Sequence, residues 1–434
     1  MITLEGKFTN ASIYAETIED GVYSQVYSII NNPAFSGQKV VCMPDVHVGK
    51  SGPCGLTATI GNYICPDHVG VDIGCSVSMM ILDKKLNEKD YPNFENKIKR
   101  QIPMGFNIHK KSQIDIKDFC KFLTTYFNRY RQKWPEMLSD LPDTVTEKWI
   151  SCLLKRIGMD EGMFWKSLGT VGGGNHFLEY GESDDFGAFT MHFGSRNLGV
   201  KICNYWMNKA KGGALSKSEI KGYTQEFKSS YLKNHSDMKN FKDDLNKYLE
   251  SKKEGHIEGY LKGENMSGYL CDMAFGQLYA AYNHKTVQKL VSEILLKFNI
   301  KVDRIITSTH NFIDLEDRIL RKSAIASYEG TEILVPFNMR DGIAICEGLS
   351  NPEWNYSCSH GAGRKMSRSK AKQNISLDDF RNSMKNVYST CINTSTIDEA
   401  PMAYKDTEEI KRLISETCKV KYMVIPKINL KAAE

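Results

Sequence analysis

The sequence predicts an α+β fold, one large domain of mixed, mostly antiparallel sheets with helical insertions. Three observations lead there. β-Branched and apolar runs punctuated by Gly, Pro and Asp recur toward both ends of the chain, at 39–43, 56–60 and 77–82 and again at 304–309, 333–337 and 342–346. Between these groups, Leu270, Met273, Ala274, Leu278, Ala281 and Tyr282 recur at three- and four-residue spacing, the period of a helix that faces a core over 269–298. The strand runs do not alternate regularly with helices, which argues against a βαβ-wound parallel sheet.

Taken in order, the first run stops at Pro44-Asp45, the second is bracketed by Gly55 and Gly61, and the third follows Gly74 and ends at Asp83. Ser216-x-x-Glu219 and Ser376-x-x-Asp379 have the pattern of capping boxes that open helices. The segment 233–263 is rich in Lys and Glu and reads as a solvated excursion, part of a helical, lysine-rich insertion at about 200–300. No repeat, heptad array or Pro/Ser-rich linker divides the chain, so 1–434 reads as one catalytic domain and a monomer.

Composition excludes several classes. The 434 residues are 41% hydrophobic and 25% charged, ordinary for a globular protein, and no apolar run approaches the ~18 residues of a membrane span. The start lacks a basic region followed by an apolar core, so a soluble, cytoplasmic protein is expected. Twelve cysteines without paired spacing fit a reducing compartment. A net charge of +5 permits a nucleic-acid partner through a local basic groove without requiring one. Lys97-Ile98-Lys99-Arg100 and His109-Lys110-Lys111, flanked by Phe94 and Phe106, offer either RNA contacts or solvated faces.

The chemistry concentrates in short polar stretches. Ser359-His360-Gly361-Ala362-Gly363-Arg364 joins a potential nucleophile, a glycine cradle whose N–H groups can approach an anion, and a forked cation suited to phosphate. An imidazole there can attack phosphorus and carry it covalently. Of ten histidines, His47, His176, His192, His310 and His360 all lie in Gly-, Ser-, Asn- or Asp-rich stretches bordering strands. Asp72 and Cys75, three apart in Gly70-Val71-Asp72-Ile73-Gly74-Cys75, add an oxygen and a sulfur that can reach one metal. Thiolate ligation suits zinc or iron, whereas carboxylate and imidazole beside phosphate suit manganese or magnesium.

These motifs, in this order, resemble the RtcB family of RNA ligases: Pro44-Asp45-Val46-His47, Gly70 to Cys75, Gly174-Asn175-His176-Phe177-Leu178-Glu179, His192-Phe193-Gly194-Ser195-Arg196, His310-Asn311 and His360 to Arg364. Ser367-Arg368, the stretch Asp398 to Asp406, and Lys431 extend the likeness. The resemblance implies a ligase, dependent on GTP and a pair of manganese ions, that joins an RNA 3′-phosphate or 2′,3′-cyclic phosphate end to a 5′-hydroxyl. By that likeness His360 forms a histidine–GMP phosphoramidate, GMP passes to the RNA 3′-phosphate, and the 5′-hydroxyl displaces it. Asp72, Cys75, His176, His192 and His310 would hold two Mn2+ ions, with Cys75 bridging. Asn175, Asn311, Gly361, Ala362, Gly363 and Arg364 would hold phosphates or ribose, with Asn338 and Met339 beside the nucleotide. Glu179, Tyr404 and Lys431 would contact guanine, and Arg196 and Arg368 the RNA phosphates.

The chain departs from the family pattern in four places. Pro336-Phe337-Asn338-Met339-Arg340 stands where relatives read like Pro-Gly-Ser-Met-Gly; Asp67-His68 replaces a glycine pair after Pro66; Asn283-His284 replaces Asn-Arg; and Gly74 replaces an asparagine. Two other readings stay open at this level. One is a metal-dependent phosphohydrolase acting on RNA ends or cyclic phosphates, and the other is a non-catalytic RNA-binding repair accessory. The sequence names neither the natural RNA nor an activating partner.

Overall fold

The structure, a computed structural model, describes residues 1–211, 217–234, 238, 240–251 and 259–432. Two large sheets organise it. In the six-stranded sheet the order is Ile2–Glu5, Asn10–Ile13, Val40–His47, Cys54–Thr59, Ile319–Lys322 and Phe312–Asp314. In the seven-stranded sheet it is Val302–Thr309, Ser76–Leu82, Gly187–Phe193, Phe177–Glu182, Cys418–Leu430, Gly342–Gly348 and Glu332–Asn338. Every neighbouring pair in both sheets is antiparallel except Asn10–Ile13 with Val40–His47. The fold is therefore α+β, as the irregular order of runs predicts.

Each of the six strand runs read from the sequence falls on a strand, with boundaries that differ by a few residues. The largest difference is at the first, which continues from Val40 through Pro44 to His47. Proline is tolerated there because the pairing with Cys54–Thr59 shifts register between Cys42 and His47, so no ladder bond is asked of it. That irregularity carries Asp45 inward, fully buried. Sequence reading missed Cys418–Leu430, a strand of 13 residues that joins Phe177–Glu182 to Gly342–Gly348 and so holds the seven-stranded sheet together. Its β-branched and aromatic residues alternating with Lys419 and Lys421 are the signal that could have found it.

The expected long helix runs over Gly263–Leu296 and is the spine of the molecule. Its first half, from Met266 to Tyr282, packs into one apolar core with Ile73, Phe119, Phe164 and Trp206. Its last turns, Val287 to Leu295, enter a second core beneath the seven-stranded sheet with Phe94, Tyr180, Phe189 and Phe193. Each fully buried side chain of this size contributes about 1.5–3 kcal/mol, so one helix ties two cores together. Ser376 caps the helix Leu377–Ser383 by accepting from the Asp379 N–H at 3.0 Å. Ser216, the other expected cap, lies outside the described residues. Within the lysine-rich segment, Lys217–Asn234 and Phe241–Ser251 are helices that meet through Phe227, Tyr231, Phe241 and Tyr248. Among the described residues no helix is long and apolar enough to cross a membrane.

The spine also backs the turn that carries Asp72 and Cys75. Gly74 has φ +70°, and a Cβ there would lie 2.8 Å from the Gln277 Cα of the long helix. The asparagine of relatives tolerates that φ but not this approach. Gly158, which ends the helix Glu147–Ile157 at φ +68°, has nothing within 4 Å of the same position. Gly158→Ala should therefore cost only the conformational penalty of about 1 kcal/mol, whereas Gly74→Ala should cost more, about 2–3 kcal/mol, through the added clash. Urea unfolding of the two variants measures the difference; equal midpoints would show that the helix yields at Gln277.

Candidate active site and metal centre

The strand ends of the two sheets converge on a cavity of about 630 Å³. Its wall includes His360 with Gly361 to Arg364, the histidines His192 and His310, and Asn175, Glu179, Asn338, Met339, Arg368, Tyr404 and Lys431. The structure thus brings most of the sequence-predicted residues into one place.

His360 follows the short strand Ser357–Ser359 and donates from Nδ1 to the Asp45 carboxylate at 2.6 Å. This fixes the ring and leaves Nε2 with its lone pair available to a reactant. Asp45 is remote in sequence, and nothing local marks it as the partner of a histidine 315 residues away. The loop after His360 can reach Asp45 only because Gly363, at φ +71°, lacks a Cβ: one would sit 2.2 Å from the Asp45 carbonyl oxygen. Lys405, whose N–H bonds to the Gly363 carbonyl, sends its buried ammonium to the carbonyls of Pro44 and Val46 at 2.9 Å, clamping Asp45 from both sides.

Beside His360 lie the expected metal ligands. Side-chain atoms of Cys75, His192 and His310 lie within 4.8 Å of one another, as do those of Asp72, Cys75 and His176, so Cys75 belongs to both groups. His176 Nε2 is 2.9 Å from Asp72 and 3.6 Å from Cys75 Sγ, and His192 and His310 face each other through Nε2 at 3.2 Å. The His310 ring stands 5.1 Å from that of His360. Burial, and then the neighbouring imidazoles, hold His192 and His310 well below the ordinary histidine range, so they are neutral. Burial and Asp72 push the Cys75 thiol up. Neutral imidazole nitrogens, a carboxylate and a thiol converging in a buried space fit a divalent cation, which would draw the thiol to its thiolate.

A hub of charge closes the other side. Glu399 is buried, receives the Tyr404 hydroxyl at 2.8 Å, and pairs with Lys431 at 3.0 Å, Arg364 at 3.3 Å and Arg368. Burial alone would raise its pKa, but Lys431, Arg368 and Arg364 hold it down to about 2. Arg368 also meets Asp398 at 2.6 Å, and Arg364 donates to the Asp398 carbonyl. Glu179 has the opposite state: burial pushes it up to about 8 although Asn429 donates to it at 2.7 Å. Sequence reading placed Asp398 and Glu399 in the family-like stretch without assigning them a role, and did not single out Asn429. Five predicted residues do not line the cavity: Asp72, Cys75 and His176 lie in the metal cluster behind its wall, Asn311, at φ +58°, accepts from the Ser323 N–H at 2.8 Å, and Arg196 donates to the Gly105 carbonyl at 2.6 Å. Phe94 is a core residue, whereas Phe106 is 92% exposed.

A family model described as "tRNA-splicing ligase RtcB" matches residues 25–432. The chain belongs to the RtcB family. It is 27% identical over 423 residues to the RNA-splicing ligase RtcB of Escherichia coli K12, covering 89% of this chain and 88% of that protein. With the tRNA-splicing ligase RtcB of Nanoarchaeum equitans it shares 24% identity over 461 residues, covering 92% and 88%. An RNA-splicing ligase RtcB homolog of Entamoeba dispar is 24% identical over 416 residues, covering 87% and 75%.

The departures from the RtcB pattern have local physical accounts. In the 336–340 loop, Asn338 accepts from the N–H groups of Arg340 and Asp341 and donates to the Asp341 carboxylate, which also pairs with Arg340. The turn is closed by these side chains together with the Thr407 hydroxyl, which donates to Asp341 at 2.9 Å, and Phe337 and Met339 are buried. His284 stacks on Phe193 at 3.9 Å and donates to its carbonyl, while Asn283 accepts from the N–H of Gly169 at 2.7 Å. His68 packs under Gly52 and against Phe35.

Because Glu399 is depressed in the folded state, its contribution to stability is present above the ordinary carboxylate pKa and is lost as pH falls toward about 2. Glu399→Gln should lower stability at pH 7 by on the order of 3 kcal/mol, since it leaves three cations facing a neutral group. It should also flatten the acid limb of the stability profile below about pH 4.5. Chemical denaturation across that range measures both; an unchanged acid limb would show that the cations do not act through Glu399.

Proposed function

We propose that this chain is a GTP- and manganese-dependent RNA ligase that joins RNA 3′-phosphate or 2′,3′-cyclic phosphate ends to 5′-hydroxyl ends. The observation that carries the proposal is the 2.6 Å bond from His360 Nδ1 to Asp45, which holds the ring in a cavity lined also by His192 and His310, the two members of the Asp72, Cys75, His176, His192 and His310 set that reach its wall. The names of the relatives, RNA-splicing and tRNA-splicing ligases, support the same activity.

In this reading His360 Nε2 attacks the α-phosphorus of GTP, a P–N bond forms, the bond to the β-phosphate oxygen breaks, and pyrophosphate leaves. Asp45 balances the imidazolium character that develops on the ring. An oxygen of the RNA 3′-phosphate then takes the GMP phosphorus from His360, and the 5′-hydroxyl attacks the 3′-phosphorus so that GMP departs. A cyclic phosphate is first opened by water. Two divalent ions bound to the five ligands would offset phosphate charge and orient attacking and leaving oxygens. Gly361 to Gly363, Arg364 and Asn175 face the phosphates, with Asn311 behind them; Asn338 and Met339 border the nucleotide. Glu179, Tyr404 and Lys431 contact guanine, and Arg196 and Arg368 guide RNA, whose binding weakens with salt.

Purified protein incubated with manganese and GTP labelled at the α-phosphate should acquire acid-labile, alkali-stable label, and His360→Ala should abolish it. Asp45→Asn should slow labelling about 10²-fold or more by releasing the ring. Absence of label on the native chain with manganese, magnesium or cobalt would sink the mechanism, and metal-dependent hydrolysis of cyclic ends without GTP would put a phosphohydrolase in its place.

A further inference from the structure

The wall of the cavity holds a second reactive pair that the ligation steps do not use. His47 and Cys54 are direct partners across the antiparallel strands Val40–His47 and Cys54–Thr59, and both line the cavity with His360. The Asp45 carbonyl accepts from His47 Nδ1–H at 2.8 Å, so the proton sits on Nδ1 and Nε2 is left for the thiol. The turn between the strands folds over the sulfur: a Cβ on Gly49 would lie 3.1 Å from Cys54 Sγ. A second cation stands behind. Lys322 is held by the carbonyls of Ser51 at 3.3 Å and Asp67 at 2.9 Å.

We propose that Cys54 and His47 form a nucleophilic thiolate–imidazolium pair, a modification site at which small-molecule disulfides attach to this chain and close the cavity.

The charged surroundings agree with the geometry. Burial opposes ionisation of Cys54, but His47, Lys322 and the Ser323 hydroxyl bring its thiol down to about 6. Burial likewise opposes the imidazolium of His47, yet Cys54 and Asp45 raise it. Asp67 and Cys203 lie beyond Lys322, and Glu19 and Lys50 stand on the cavity wall. Cys42 and Cys65 lack such cations, and burial pushes both up to about 12; Cys203 has Lys322 nearby but no imidazole partner, and burial still pushes it up to about 12. In the exchange, the Cys54 thiolate attacks one sulfur of the disulfide. A new S–S bond forms as the old one breaks, and the leaving thiolate departs with the electron pair, to be protonated by solvent. The attached group occupies space beside His360, and excess thiol reverses the reaction.

The pair is tested on the full chain by iodoacetamide labelling read cysteine by cysteine by mass spectrometry, with N-acetylcysteine as reference. Between pH 8 and 6.5 the labelling rate of Cys54 should fall less than about twofold, while that of an ordinary thiol falls roughly 20-fold. A fall parallel to N-acetylcysteine would overturn the proposal. His47→Gln should restore the steep dependence, and an unchanged profile would remove His47 from the pair. Oxidised glutathione should then form a mixed disulfide at Cys54 and abolish GTP-dependent labelling of His360, with recovery on adding dithiothreitol; a mixed disulfide elsewhere, with Cys54 free, would overturn the site. Blocking of the nucleotide rests on the proposed function, but the pH profile does not: if His360 never labels even in untreated protein, the ligase reading fails while the thiol pair is judged on its profile alone.

Discussion

A buried carboxylate at a strand end is the point on which the site is assembled. Asp45 holds His360 through its side chain and His47 through its carbonyl, and Lys405 grips the residues on either side. Burying a carboxylate is costly without a partner, and the one that bonds its Oδ2, His360, comes with Lys405 from the C-terminal part of the chain. The glycine at 363 is what admits them, since any side chain there would collide with the backbone of Asp45. Fold and chemistry thus meet in one set of contacts.

The two acidic groups on the cavity wall show how burial can be turned in opposite directions. Glu399 and Glu179 are both buried, yet three cations keep the first ionised while the second, facing an amide, is pushed up to about 8. The cation-rich hub presents positive groups held in place by a fixed anion, an arrangement that does not need to reorganise when a phosphate arrives. The candidate metal ligands follow a different logic: neutral imidazoles and a carboxylate beside an undissociated thiol would take a divalent cation, which would draw the proton from the thiol.

Much of this is legible in the sequence, for identifiable reasons. Strand runs such as 77–82 and the helix at 269–298 are local periodicities, and a buried strand or helix must carry them. The histidines stand out because each sits where a strand yields to glycine or asparagine, and their order along the chain carries the family resemblance that the family match now supports. What escapes reading is set by distance in sequence. Asp45 meets His360 across 315 residues and Glu399 meets Lys431 across 32, and no pattern in either neighbourhood announces its partner. Cys54 lies opposite His47 only because the strand pairing shifts register, and Arg196 turns to the Gly105 carbonyl for reasons that belong to tertiary packing.

The turn at 338–341 bears on how such a chain diverges. Asn338, Arg340 and Asp341 satisfy one another, and among the described residues the one outside side chain that joins them by a hydrogen bond is Thr407, which donates to Asp341 at 2.9 Å. His360 itself is braced by Asp45, and the contact between its loop and this corner is the Ala362 N–H bond to the Pro336 carbonyl at 3.1 Å, a backbone bond indifferent to the side chains at 338–341. Under the proposed ligase reading, substitutions at 338–341 would alter the nucleotide border of the cavity before they reached His360, so a chain would drift in recognition before it drifted in chemistry.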